Sequence, residues 1–554
     1  MNTVFLVLLF LSLVGLSNVL RRFVPLPLPL VQIALGAALA ALPTHYGIHV
    51  SLDPELFMFL FIPPLLFSDG WRIPKRELFR LRYGVLMLAF GLVFFTVAGA
   101  GYFIHWLIPA ISLPAAFALA GVLSPTDAVA VTSITGQSRM PSRLQHILEG
   151  ESLLNDASGL VAFKFALAAI MTGMFSFKEA AASFVFISLG GFAVGVILAL
   201  AIDWGRHHIV HWWGESGGTF IILTLLLPFV AYLVAEHLGC SGILAAVAAG
   251  ITMNYTTFGQ DSALETRIQN AAIWGMLEMA FNGIIFLLLG LQLPGILSMA
   301  SSDAMEAGHN SPWILPWYIL AITVVLFALR FFWVLCSVKL TLFQETFKKQ
   351  KLTTPFGLRL ITVTSLSGVR GAVTLAGILS IPLLMPDGTN FPARNLMVFL
   401  AAGVILLTLI IASSGLPFLL KKLKMPQESE ITAEVRTARR FAAEAAVKAL
   451  ENEKNKKAAD VTQDTTLQEE LCERILAIYQ QRLVMLGDDK DTMESALQAS
   501  EMETQLRLLA IRAERSQLIH LYDTHQINNQ TLDKLVRDTD MREAALSGID
   551  IGRF

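Results

Sequence analysis

The chain reads as an all-α polytopic membrane protein of about thirteen transmembrane helices, with inverted repeats and two broken helices, followed by a helical cytoplasmic tail. Three observations predict this. The residues are 55% hydrophobic and only 15% charged, with a mean hydropathy of +0.61, whereas an average soluble domain carries about 25% charged residues. Apolar runs of membrane-spanning length recur as far as about Leu420, and basic residues collect in every second connection between them. From about Met425 the composition turns abruptly to charged, Ala-rich sequence, which divides the chain into a membrane domain over 1–424 and a tail over 425–554.

The first apolar run, Thr3 to Leu20, has no basic segment before it and Arg21 and Arg22 after it, the reverse of a cleavable signal peptide. It is expected to stay as a membrane helix that starts outside. The remaining spans are expected near 27–42, 54–69, 83–107, 113–135, 146–174, 178–203, 217–237, 240–255, 272–294, 313–343, 357–385 and 395–420. The loops that this order places in the cytoplasm hold Arg21 and Arg22, the basic residues from Arg72 to Arg82, Arg139 and Arg143, Arg206, Arg267, those from Lys348 to Arg359, and Lys421 to Lys424. The opposite loops hold little beyond Lys178 and Arg394, with Asp303 and Glu306. An excess of Lys and Arg marks the cytoplasmic side, so the C-terminus is expected inside and the N-terminus in the periplasm. The tail is expected to form amphipathic helices over Glu434 to Asn455 and Met502 to His525, with a linker near Lys454 to Thr466, serving dimer contact, regulation or stability.

A repeat runs seven spans apart. Leu28 to Gly36 in the second span matches Cys240 to Gly250 in the ninth in position, and the Pro63-Pro64 break of the third span corresponds to Phe281 to Leu293 in the tenth. The fifth and twelfth spans are both interrupted, by Ser124-Pro125-Thr126-Asp127 and by Ser367-Gly368-Val369-Arg370-Gly371. An odd offset makes the second copy enter from the other face, which defines an inverted repeat, and paired broken helices then point to one site near mid-membrane. Broken backbone is tolerated at that depth only where protein or a water-filled cavity surrounds it.

The sixth span carries Glu151-Ser152-Leu153-Leu154-Asn155-Asp156. One ionised group at mid-membrane costs about 2.5 to 3.5 kcal/mol on insertion scales, so two within two turns need a function or a partner. On a helix Glu151, Ser152, Asn155 and Asp156 fall at roughly 0°, 100°, 40° and 140°, on one side. Asp127 in the fifth span can reach the same cavity. A small hard cation wants oxygen ligands, and Asp156, Asp127, Ser152, Thr126 and freed carbonyls supply them. A carboxylate kept from bulk water holds either a proton or a metal ion, and competition for it is sufficient for exchange. Arg330 and Arg370 are expected to balance part of the charge, with Glu151 the acid consumed in a structural ion pair and Asn155 holding the segment by hydrogen bonds. Lys164 is expected to snorkel outward. Asp69, Asp203, Glu236, His237 and Glu278 fall near expected helix ends, where hydration is cheap, and are read as structural.

Several classes are excluded or disfavoured. A formal net charge of −2 argues against nucleic acid. Cys240, Cys336 and Cys472 form neither a disulfide framework nor a metal site. An intramembrane aspartyl protease expects Tyr-Asp and Gly-x-Gly-Asp settings, and neither flanks Asp127 or Asp156. A channel would not need inverted broken helices.

At Phe61 to Phe67, Ser124 to Val129, Gly150 to Asp156, Arg330 and Gly368 to Val373, the chain resembles the monovalent cation:proton antiporters of the NhaP type, the branch that includes the animal NHE exchangers. The resemblance implies a secondary transporter and not an enzyme, with an NhaA-like antiporter fold, a homodimer in a bacterial inner membrane, and a role in pH homeostasis. It implies Asp156 as the carrier of Na+ or H+, with Thr126, Asp127 and Ser152 near the ion and Glu151 paired with Arg330. It implies no cofactor beyond the transported Na+ and H+ and no partner beyond monovalent cations, protons and the lipid bilayer. Members with Asn-Asp at Asn155 and Asp156 are generally electroneutral. Li+, K+ or a K+-selective exchange stays open.

Overall fold

A computed structural model describes the chain except residues 1–2, 25, 42–53, 74, 136–139, 173–176, 214–216, 258–263, 307–313, 349–357, 386–387, 390, 423–428, 459–465, 486–489 and 547–554. Arg139, Lys424, the basic residues between 349 and 357, and the middle of the expected tail linker lie outside the described residues. Contacts divide the chain into two units, Met1–Lys424 and Met425–Phe554.

In the first unit the helices follow the expected order. They are α1 (Thr3–Leu20), α2 (Leu28–Ala40), α3 (Pro54–Arg72), α4 (Lys75–Leu86), a π-helical turn (Met87–Leu92), α5 (Val93–Leu107), α6 (Leu113–Leu123), α7 (Ala128–Thr135), α8 (Ser142–Thr172), α9 (Phe177–Trp213), α10 (Gly217–His237), α11 (Gly242–Thr257), α12 (Leu264–Glu306), α13 (Ile314–Lys348), α14 (Leu358–Leu366), α15 (Ala372–Leu379) and α16 (Arg394–Lys422). Among the described residues, seven helices are each long and apolar enough to cross a bilayer, and the pair α6 and α7, bent by 46° at its break, brings the number up to eight if it is counted as one span. Shorter apolar helices, α1, α2 and α11 among them, fill in between.

Several helices outrun the expected spans. α9, α12 and α13 continue well past their apolar stretches, because a helix need not stop where the hydrocarbon does. α3 passes through Pro63 and Pro64 without interruption and ends at Arg72. The Pro-Pro pair therefore removes two amide donors but does not break the helix, which corrects the expectation of a break there. The π-helical turn between α4 and α5 leaves carbonyls that neighbouring helices satisfy: Ser158 Oγ donates to the Ala89 carbonyl at 2.8 Å and Trp333 Nε1 to the Met87 carbonyl at 3.1 Å.

Packing follows membrane rules. The outer faces are apolar and exposed, as at Phe186 (71%) and Trp106 (75%), since lipid replaces water there. Inside, Ala116, Ala118 and Ala120 of α6 are fully buried, and α6 lies along α8. α2 packs on α12, where Gly36 and Gly290 face backbone so closely that a Cβ at either would collide with the carbonyl of Leu287 or Ile33. Small residues bring the two backbones together where no hydrophobic drive exists between helices. α3 packs along α11 in the same unit, and both α3 and α12 touch α15 of the second broken helix.

The second unit consists of α17 (Ser429–Ala458), α18 (Thr466–Met485), α19 (Lys490–Asp523) and α20 (Asn529–Leu546). α19 and α20 are tied by Arg515, which pairs with Asp540 at 2.5 Å and with Glu543.

Candidate functional site

The two broken helices meet backbone to backbone. The Asp127 amide donates to the Val369 carbonyl at 2.8 Å, joining the break of α6–α7 to that of α14–α15. Each break leaves a positive half-helix start and a negative half-helix end, each equivalent to roughly half an elementary charge. Two side chains neutralise them. Asp127 Oδ1 accepts from the Ala130 amide at 2.8 Å and so caps α7. Its other oxygen lies against Gly371, just before α15, so closely that a Cβ on Gly371 would overlap it. Arg370 does the opposite: its Nε donates to the Leu123 carbonyl at the end of α6 at 2.9 Å, and its guanidinium also donates to the Gly368 carbonyl. One acid serves the helix starts and one guanidinium the helix ends.

A second charged pair is closed on itself. Glu151 and Arg330 form a bidentate ion pair, with Arg330 Nη2 donating to Glu151 Oε2 at 2.8 Å and Nη1 to Oε1, both side chains being 2% exposed or less. Arg330 Nε also donates to the Thr364 carbonyl at 3.0 Å. Thr126 and Asn155 extend this network: Thr126 Oγ1 donates to Glu151 Oε1 at 3.4 Å and accepts from Asn155 Nδ2 at 2.9 Å. Ser152 Oγ donates to the Thr126 carbonyl at 2.7 Å and accepts from the Ala128 amide at 3.3 Å, which pins the unwound segment to α8.

Asp156, one turn beyond Ser152, is 5% exposed, and no cationic side chain among the described residues is in ion-pair contact with it. It lines a cavity of about 30 Å³ together with Thr126, Asp127, Ser152, Asp69 and Thr374, room for a water or an ion of similar size. A wider vestibule of about 210 Å³, lined by Arg72, Gln32, Glu278 and Asn282, shares Asp127, Val129 and Asn282 with that cavity. Oxygen atoms are the only polar ligands the carboxylates and hydroxyls of the inner cavity offer, the donor set of a hard cation.

The structure thus brings Asp156, Asp127, Thr126 and Ser152 to one cavity and places Asn155, Glu151, Arg330 and Arg370 in the packing that frames it. Two acids differ from their sequence reading. Asp69 is not at a hydrated helix end: α3 runs on to Arg72, and Asp69 faces the inner cavity. Glu278 lies well inside α12, lines the vestibule and pairs with Arg72 at 2.5 Å. The available signal was Arg72 itself, three residues after Asp69, which marks a helix continuing past the apolar window. Lys164 forms a partly exposed ion pair with Glu236 at 2.6 Å.

The comparisons with known proteins agree with this architecture. The family described as "Sodium/hydrogen exchanger, transmembrane" matches residues 6–422. An uncharacterized Na(+)/H(+) exchanger of Escherichia coli strain K12, YjcE, is 44% identical over 554 residues, 99% of each chain. A sodium, potassium, lithium and rubidium/H(+) antiporter of Bacillus subtilis strain 168 is 42% identical over 97% of this chain and 77% of its own length. Among solved structures, the sodium proton antiporter MjNhaP1 of Methanocaldococcus jannaschii shares the fold, with a TM-score of 0.58 at 18% identity over 76% of this chain and 98% of that one. With a matching family model over most of its length, and with a multi-pass membrane unit built around crossed broken helices, this chain belongs to the sodium/hydrogen exchanger family.

Proposed function

We propose that the protein exchanges a monovalent cation for a proton, one for one, through competition at the Asp156 carboxylate. The observation that carries this reading is the contrast in pairing: Glu151 is matched by Arg330, and Asp127 and Arg370 match the half-helix ends, while Asp156 faces the cavity with no cationic partner among the described residues. An acid so placed needs a counterion from solution, either a proton or a metal ion. If the carrier reorients only when Asp156 is occupied, a cation gradient drives protons the other way, and one carboxylate exchanging one charge for one charge makes the cycle electroneutral. Asp69, on α3, lines the same cavity and adds to the field that attracts a cation. Thr126 and Ser152 shape the cavity rim beside the ion.

The vestibule supplies the path. Its lining by Arg72, and the contact of Arg21 with the Ser133 carbonyl at 3.2 Å nearby, associate it with the side marked by the basic loops, so on this reading the site opens to the cytoplasm in this conformation. The names of the Bacillus relatives, which include potassium, lithium and rubidium, favour a broad choice of cation over strict Na+ selectivity. Assembly as a homodimer in a bacterial inner membrane, with the tail inside, completes the reading.

The test is transport in proteoliposomes loaded with a pH dye and pulsed with Na+, Li+ and K+. The wild-type protein should show cation-driven pH change for Na+, and Asp156→Asn should show none while remaining folded in detergent. Retained exchange in Asp156→Asn overturns the assignment.

A further inference from the structure

We propose that the Thr374 side-chain hydroxyl is a direct ligand of the transported cation, contributed by the second broken helix opposite Asp156. This rests on the reading that Asp156 holds that cation.

Three hydroxyls line the inner cavity: Thr126, Ser152 and Thr374. The first two are occupied. Thr126 Oγ1 gives and receives hydrogen bonds with Glu151 and Asn155, and Ser152 Oγ does the same with the Thr126 carbonyl and the Ala128 amide. Thr374 is 1% exposed, and its Oγ1 has no hydrogen-bond partner among the described residues. Buried polar atoms are nearly always satisfied, so one left open beside a polar cavity asks for an occupant.

The local backbone explains why this hydroxyl is free. Threonines and serines inside these helices fold back on the preceding turn: Thr364 onto the Leu360 carbonyl, Ser365 onto Ile361 and Ser367 onto Val363. Thr374 is the third residue of α15, so the residue four positions before it, Arg370, lies in the break rather than in helix. Thr374 Oγ1 makes no bond back to the preceding turn among the described residues. The side chain is left facing the cavity, with two lone pairs available.

A neutral hydroxyl suits the role. It adds an oxygen to the coordination of a hard cation without adding a charge, so it changes how tightly and how selectively the cation binds and leaves the count of exchanged charges alone. A proton on Asp156 needs no such shell. Thr374 therefore acts on the cation arm of the cycle and not on the proton arm.

The experiment compares Thr374→Val, which keeps the branched shape, with Thr374→Ser, which keeps the hydroxyl, in proteoliposomes, measuring half-saturation and maximal rate for Na+, Li+ and K+ alongside Asp156→Asn. Thr374→Val is expected to raise the half-saturation concentration for the preferred cation by about tenfold, a change of about 1.4 kcal/mol, to alter the ratio among the three cations, and to keep the maximal rate. Thr374→Ser is expected to stay within about twofold of wild type, well inside that difference. Should Thr374→Val fail to fold, Thr374→Ala is read in the same way. Wild-type half-saturation for all three cations in the hydroxyl-free variant, a loss of maximal rate alone, or equal shifts in the Val and Ser variants would overturn the inference, and with an inactive Asp156→Asn the proposed exchange would stand. Activity in Asp156→Asn would instead remove the reading beneath it.

Discussion

Two acids one and a half turns apart on α8 live in opposite surroundings. Glu151 is fully buried, gripped by both ends of the Arg330 guanidinium and touched by Thr126 and Asn155. Asp156 is nearly as buried, but it opens onto a cavity and no described cationic side chain pairs with it. The same carboxylate chemistry yields a fixed strut in one place and an exchangeable site in the other. What decides between them is whether the protein supplies the counterion or leaves that to the solution.

The largest effect that would break this comparison is at the strut. Arg330→Met should leave the Glu151 charge buried and alone and destabilise the protein by about 3 to 5 kcal/mol, read as a lowered midpoint of thermal unfolding in detergent. Replacing both partners, Glu151→Gln with Arg330→Met, should recover most of that loss. If the double variant is as unstable as the single one, the pair is not a self-contained strut.

A smaller effect is expected at the crossing. Gly371→Ala would drive a Cβ into the Asp127 carboxylate and should lower exchange by about tenfold to a hundredfold through misplacement of the cavity wall, with protein yield little changed. Unaltered exchange would mean that Asp127 can move freely and is not held as the shared cap of α7 and α15. The smallest effect is at Lys164→Gln. The Lys164–Glu236 pair is partly exposed, and such pairs contribute less than about 1 kcal/mol, so thermal stability and transport should both stay near wild type. A large loss of coupling in that variant would move Lys164 from the outer surface into the transport cycle.

Much of this contrast is legible in the sequence, and the reasons are specific. Helical geometry alone puts Glu151, Ser152, Asn155 and Asp156 on one side of α8, and the small polar interruptions at Ser124 to Asp127 and Ser367 to Gly371 mark where the two helices break. Asp69 is misplaced because an apolar window ends where charges begin, whereas α3 continues to Arg72 and the cavity reaches that extended turn. Glu278 already lies inside the expected span, and only the earlier start of α12 sets it well away from a helix end. The Pro63-Pro64 pair misleads in the other direction: neighbouring helices bury α3 on several sides and keep it helical. The role of Arg370 as a cap for carbonyls, and the open hydroxyl of Thr374, depend on which hydrogen bonds are already made in three dimensions, and no spacing in a linear chain records that.

The most direct test of the central claim is the proton released when cation binds. With purified protein in detergent, at a pH where the site is protonated, Na+ binding is measured by calorimetry in two buffers of different ionisation enthalpy. The account predicts close to one proton released for each Na+ bound, and neither binding nor release in Asp156→Asn. Binding of Na+ to the wild-type protein with no proton released, or release that persists in Asp156→Asn, would contradict it.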